Sequence, residues 1–143
     1  MEQTKNEMKM EFSASSSNEG FARVTVGAFV AELNPTVDEL ADIKTAVSEA
    51  VTNCIIHGYE QKGGSIWIQC STRGQQVELS VIDTGKGIQD IAQAREPLFT
   101  TKPELERSGM GFAFMEAFMD EVEIISEPGK GTCVTMRKTI GKG

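Results

Sequence analysis

Glycine pairs set one residue apart recur four times in the second half of this chain, at Gly85-x-Gly87, Gly109-x-Gly111, Gly129-x-Gly131 and Gly141-x-Gly143. Each borders a patterned apolar run, so each marks a place where a regular element stops and the backbone turns tightly. The segments between them then take simple readings. Met8, Met10 and Phe12 alternate with Lys9 and Glu11 as a short strand. Ser16-x-x-Glu19 offers a capping box for a helix carrying Phe21, Val24, Ala28 and Phe29. Asn34-Pro35-Thr36 breaks it, and Thr36-x-x-Glu39 caps a second helix running to about His57, with Gly58 as its stop. Gly63-Gly64 is a turn. Ile66, Ile68 and Cys70, then Val77, Leu79 and Val81, form a hairpin through Arg73-Gly74. Residues 88–107 read as a long polar loop, 109–119 as a third helix, and 121–126 and 132–138 as closing strands. The expected fold class is α/β in the α+β sense: a two-layer sandwich, its sheet mixed and mostly antiparallel, with helices on one face.

Length and charge narrow the function classes. At 143 residues the chain is expected to be one domain, 1–143, with a real core. A net charge of −7 argues against direct nucleic-acid binding, which needs clustered Lys and Arg. Cys54, Cys70 and Cys133 are an odd number without metal-ligand spacing, and read as core thiols in a reducing cytoplasm. Nothing in MEQTKNEMKM resembles a signal peptide, and no run is long enough to span a bilayer. With His57 the only histidine, a Ser-His-Asp triad, a multi-histidine metal site and a separate phospho-accepting histidine are all excluded. His57 itself reads as a helix-end residue interacting with the dipole.

Four motifs carry the chemistry. On the second helix Glu49 and Asn53 lie about 40° apart, roughly opposite the stripe of Leu40, Ile43, Val47, Ala50, Val51 and Cys54. Alone, that pair is a solvated helix face. Beside a nucleotide, Asn53 offers a neutral oxygen to Mg²⁺ and Glu49 accepts a proton from an attacking hydroxyl. Asp83 ends a strand before Gly85 and Gly87. It is either a plain strand-to-turn signal or a buried carboxylate in want of a donor such as an adenine amino group, with the glycines letting backbone approach base and sugar. Arg107-Ser108-Gly109-Met110-Gly111 opens the third helix, either as a flexible entry or as a phosphate cradle. Before it, Pro97 to Pro103 suits a lid, with Thr100, Thr101 and Lys102 for phosphate. Gly129-Lys-Gly131-Thr132 is a hairpin turn that would set the Thr132 hydroxyl beside Asp83.

In this order and spacing the four motifs resemble the N, G1, G2 and G3 boxes of the Bergerat ATP-binding fold, the superfamily of gyrase, heat-shock chaperone ATPases, sensor histidine kinases and mismatch-repair ATPases. The resemblance covers nearly the whole chain. A sensor kinase needs a phospho-accepting histidine and a gyrase-like ATPase a following transducer domain, so the chain is expected to belong with the small anti-sigma-factor serine kinases. SEAVTNCIIHGY and PLFTTKPELERSGMGF resemble its sporulation branch, with the general-stress branch as the nearest relative. The resemblance implies binding of sigma F, Mg-ATP-dependent phosphorylation of a serine on an anti-anti-sigma factor, and a cytoplasmic homodimer. It assigns Glu49 as base, Asn53 as Mg²⁺ ligand, Asp83 to adenine with Gly87 and Thr132 nearby, Arg107, Gly109 and Gly111 to phosphates, and Arg23 to a partner. Gln89 stands where a proline often follows the G1 box, and Cys54 where alanine is usual. The alternatives are a nucleotide-gated binding module without catalysis and an acidic interaction domain that binds no nucleotide.

Overall fold

A computed structural model describes residues 5–95 and 111–141. Five strands, β1 (Lys5–Ser13), β2 (Ser65–Arg73), β3 (Gln76–Asp83), β4 (Glu121–Ser126) and β5 (Thr132–Thr139), form one sheet in the order β1-β2-β3-β5-β4. All four neighbouring pairs are antiparallel, so the expected mixed sheet is antiparallel throughout. The β2–β3 hairpin turns at Gly74 and Gln75, as its sequence requires, with Arg73 opposite Gln76.

Period-2 alternation decides the two faces. Ile66, Ile68 and Cys70 of β2, Val77, Leu79 and Val81 of β3, and Val134 and Met136 of β5 are buried under the helices. Helix α1 (Glu19–Val30) packs on α2 (Val37–Asn53), and α2 packs in turn on α4 (Gly111–Phe118). A single turn, α3 (Ile91–Ala94), lies within the stretch expected to be loop, because the Asp90 side chain accepts from Gln93 N at 3.0 Å and caps it. Among the described residues no helix is long and apolar enough to cross a membrane.

Two expectations for α1 fail. Ser16 and Glu19 make no capping box: Ser15 caps a short 3₁₀ turn over Ser16–Asn18, and α1 starts after it without a side-chain cap. Its packed face is Ala22, Val26, Gly27 and Val30 with Phe29 against the core, whereas Phe21 and Val24 are 58% and 60% exposed and Ala28 is exposed too. Small residues won over large ones because α1 and α2 approach closely; a methyl on Gly27 would lie 3.0 Å from Lys44 Cε. The Thr36 box at the start of α2 is intact, with Glu39 N donating to Thr36 Oγ1 and Thr36 N to Glu39 Oε1.

Candidate functional site

Helix α2 does not stop cleanly. Its last turn widens to a π-turn over Cys54–Gly58, which aims Asn53, Cys54, His57 and Gly58 together into a cavity of about 560 Å³. The opposite wall comes from the ends of β3 and β5, where Asp83 and Thr132 face each other in register. Residues 86–90, Gly111 and Phe112 at the head of α4, and Pro128 and Gly129 complete it. The face of α2 carrying Asn53 is therefore not the solvated one that helix geometry alone suggested.

Asp83 is 4% exposed. Burial raises its carboxyl above the usual range, and three donors oppose that shift: Gly85 N–H, the Cys54 thiol and Thr132 N–H. The first of these bonds is 2.8 Å long to Oδ1. A carboxylate offers about four lone-pair directions, so acceptor capacity remains for a ligand donor. Asn53 shows the complementary deficit: its Nδ2 is buried with no partner among the described residues. Buried amides normally are paired, so an unmet one lining a cavity fits a polar ligand there. No group of three or more acidic, histidine or cysteine side chains among the described residues could hold a metal. A cation here would rest on a neutral side-chain oxygen and on oxygens brought by the ligand.

The glycines of the Asp83 turn serve a different neighbour from the one expected. A methyl on Gly85 would lie 2.1 Å from Gly58 O, and one on Gly87 2.0 Å from Glu127 O. The close approach is between protein backbones, locked by Lys86 N donating to Gly58 O (2.9 Å) and Gly129 N to Lys86 O (2.6 Å). Tyr59 Oη ties the same turn down, accepting from Thr84 N at 2.8 Å and donating to Ser65 O at 2.5 Å.

Of the sequence-assigned residues, Asn53, Asp83, Gly87, Gly111 and Thr132 line the cavity. Gly85 lies behind it, and Glu49, half-buried one turn before Asn53, is not among its lining residues. The Thr132 hydroxyl is engaged elsewhere, 2.8 Å from Ser126 Oγ, and it is the Thr132 amide that serves Asp83. Arg23 is exposed on α1, away from the cavity, 3.7 Å from Glu19. Thr100, Thr101, Lys102, Arg107, Ser108, Gly109 and Met110, the whole expected lid and phosphate cradle, lie outside the described residues. Sequence reasoning missed His57 and Lys86 as cavity residues. It also missed Ser126, whose Oγ accepts from Ile88 N at 2.8 Å and donates to Gly131 O at 2.9 Å, clasping the two glycine turns together.

Comparison with known proteins agrees with this geometry. Residues 12–138 match the histidine kinase-like ATPase domain family. The anti-sigma F factor of Halalkalibacterium halodurans is 59% identical over 139 residues, covering 96% of this chain and 95% of that protein. Those of a Thermoanaerobacter species (60% over 136 residues, 95% of each chain) and of Bacillus subtilis (58% over 139 residues, 96% and 95%) are similar to the same degree. A crystal structure of the RsbU and RsbW domains of Rv1364c from Mycobacterium tuberculosis superposes with a TM-score of 0.67 at 25% identity, over 94% of this chain and 32% of that longer one.

Proposed function

Because the chain belongs to the histidine kinase-like ATPase domain family and, within it, to the anti-sigma F factors, we propose that it is an anti-sigma factor and serine kinase acting as one domain. In this reading it binds sigma F, keeping it from RNA polymerase, and phosphorylates a serine of an anti-anti-sigma factor in the control of sporulation transcription. The observation that carries the nucleotide half is the pairing of a deeply buried Asp83 with an Asn53 amide that has no partner among the described residues, across one cavity. The anti-sigma half rests on relatives bearing that name over nearly their full length.

Mg-ATP, when bound, supplies the transferable phosphoryl group, and such transfers depend more on positioning and charge neutralisation than on a strong base. Asp83 would accept a hydrogen bond from the adenine amino group, Asn53 would give a neutral oxygen to Mg²⁺, and the Gly111 end of α4 together with Arg107 would meet phosphate. Glu49 would orient the incoming serine hydroxyl and take its proton. Arg23, beside the exposed Phe21 and Val24, is the proposed partner contact in a cytoplasmic homodimer.

The second reading is a nucleotide-gated binder without turnover, which would need no base at Glu49. Labelled γ-phosphate transfer from Mg-ATP to a purified anti-anti-sigma protein separates the two, with Glu49→Ala alongside. The kinase reading expects label on a partner serine, falling at least about 100-fold in the variant while ATP stays bound. ATP binding without any label would leave the gated binder.

A further inference from the structure

We propose that Ser126 is a positioning residue that fixes the purine preference of the cavity by holding the Thr132 hydroxyl proton away from the ligand. The inference rests on the nucleotide reading above and deepens it. Asp83, Thr132 and Ser126 stand in one row across β3, β5 and β4, opposite one another in register. The next row on the same face is Val81, Val134 and Ile124, so the polar groups gather at the end of the sheet that walls the cavity.

A serine hydroxyl has one proton and two lone pairs. The Ser126 proton goes to Gly131 O at 2.9 Å, since a carbonyl can only accept, and one lone pair takes Ile88 N–H at 2.8 Å. Thr132 Oγ1 lies 2.8 Å from the same oxygen. The assignment that leaves none of these groups idle has Thr132 donating to the remaining lone pair. The Thr132 proton is then committed to β4, and a ligand group that reaches this hydroxyl meets an acceptor. Asp83, beside it in the row, presents a carboxylate that accepts Gly85 N–H at 2.8 Å and lines the same cavity. Two neighbouring acceptors suit a 6-amino group and repel a 6-carbonyl. Without the Ser126 hydroxyl, Thr132 can turn and donate to a carbonyl, so the preference narrows. Ile88 N and Gly131 O also lose their shared partner, which loosens the glycine turns and weakens every nucleotide alike. The ratio of two affinities separates the first effect from the second.

The test is the ratio of ITP to ATP dissociation constants, by calorimetry, in wild type, Ser126→Ala, Ser126→Thr, Thr132→Val and the Ser126→Ala/Thr132→Val double variant. ITP presents a carbonyl where ATP presents an amino group. The wild type is expected to favour ATP, Ser126→Ala to lose about 3- to 10-fold of that ratio, and Ser126→Thr, which keeps the hydroxyl, to stay within about 2-fold of wild type. In the Thr132→Val background Ser126→Ala should move the ratio no further, because the serine acts through the threonine. Ser126→Cys keeps the volume with a poor acceptor and carries the test if the alanine variant does not fold. A purely structural role would weaken both nucleotides alike. A ratio unchanged in Ser126→Ala, or moved as far in the Thr132→Val background, overturns the inference while leaving the site reading intact. A wild-type protein that binds neither nucleotide overturns both.

Discussion

At Gly85 the limit on substitution is set by backbone on both sides. An added methyl would sit 2.1 Å from Gly58 O and 2.4 Å from Gly58 C, and neither can swing aside as a side-chain tip would. The Asp83–Lys86 turn must then lift off the π-turn, carrying Asp83 with it. Gly85→Ala is expected to cost about 2–3 kcal/mol and to weaken nucleotide binding at least about 10-fold. Gly129 is the contrast: its φ is +80° but nothing among the described residues lies within 4 Å of the added methyl, so Gly129→Ala pays only the left-handed strain, about 1–2 kcal/mol. Urea unfolding of the two variants would show the order, and a Gly85→Ala protein as stable as wild type would refute the clash. The identity of these residues was legible in the sequence, but their reason was not. Spacing marks Asp83, Gly85 and Gly87 as a site, whereas the neighbour that makes glycine necessary is 27 residues away and appears only when α2 meets β3. Ser126 is hidden for the same cause: a serine ending a strand carries no signal until β4 and β5 pair and bring it against Ile88 and Gly131.

Among the elements, local chemistry was readable where it is self-contained. The Thr36–Glu39 box needs no tertiary partner, and it forms with both reciprocal bonds at 2.9 and 3.0 Å. Thr36→Ala removes the acceptor for Glu39 N and should lower stability by about 1 kcal/mol, seen as a fall of several degrees in Tm, with nucleotide affinity kept. An unchanged Tm would mean that the core alone holds the start of α2. The start of α1 misled because serines crowd it: Ser15, Ser16 and Ser17 are all competent caps, and the chosen one depends on how β1 delivers the chain. The face of α1 misled for a physical reason as well. Hydrophobicity marks Phe21 and Val24, but close helix packing selects Ala22 and Gly27, which a sum of side-chain apolarity undervalues. What is left outside is a large apolar pair beside Arg23, a feature that isolated surface leucines or valines would not make.

The molecule as a whole hides two thiols in its core, and that gives it an alkaline limit. Cys54 and Cys70 are 5% and 2% exposed, and burial raises Cys70 from 9.0 to about 12 and Cys54 well above its ordinary value. In the unfolded chain both thiols lose their protons near pH 9, while in the folded protein they keep them. Between pH 9 and 12 the folded state therefore binds more protons than the unfolded one, and stability falls as pH rises; below pH 9 both states are protonated and neither thiol contributes a slope. Each such thiol accounts for about 1.4 kcal/mol per pH unit well inside that window. Cys70 sits mid-strand in β2, opposite Met8 on one side and Leu79 on the other, where a β-branched residue suits the backbone. In Cys70→Val the packing change is the same at every pH, so it cancels when slopes rather than stabilities are compared. Contributions from all other groups are common to both proteins and cancel too. Urea unfolding from pH 7 to 10.5 should show the variant losing less stability than wild type above pH 9, by about 1 kcal/mol or more at the upper end, and no difference below it. Parallel curves across the whole range would mean that the Cys70 thiol ionises in the folded protein, and hence that the sheet opens to water at its centre.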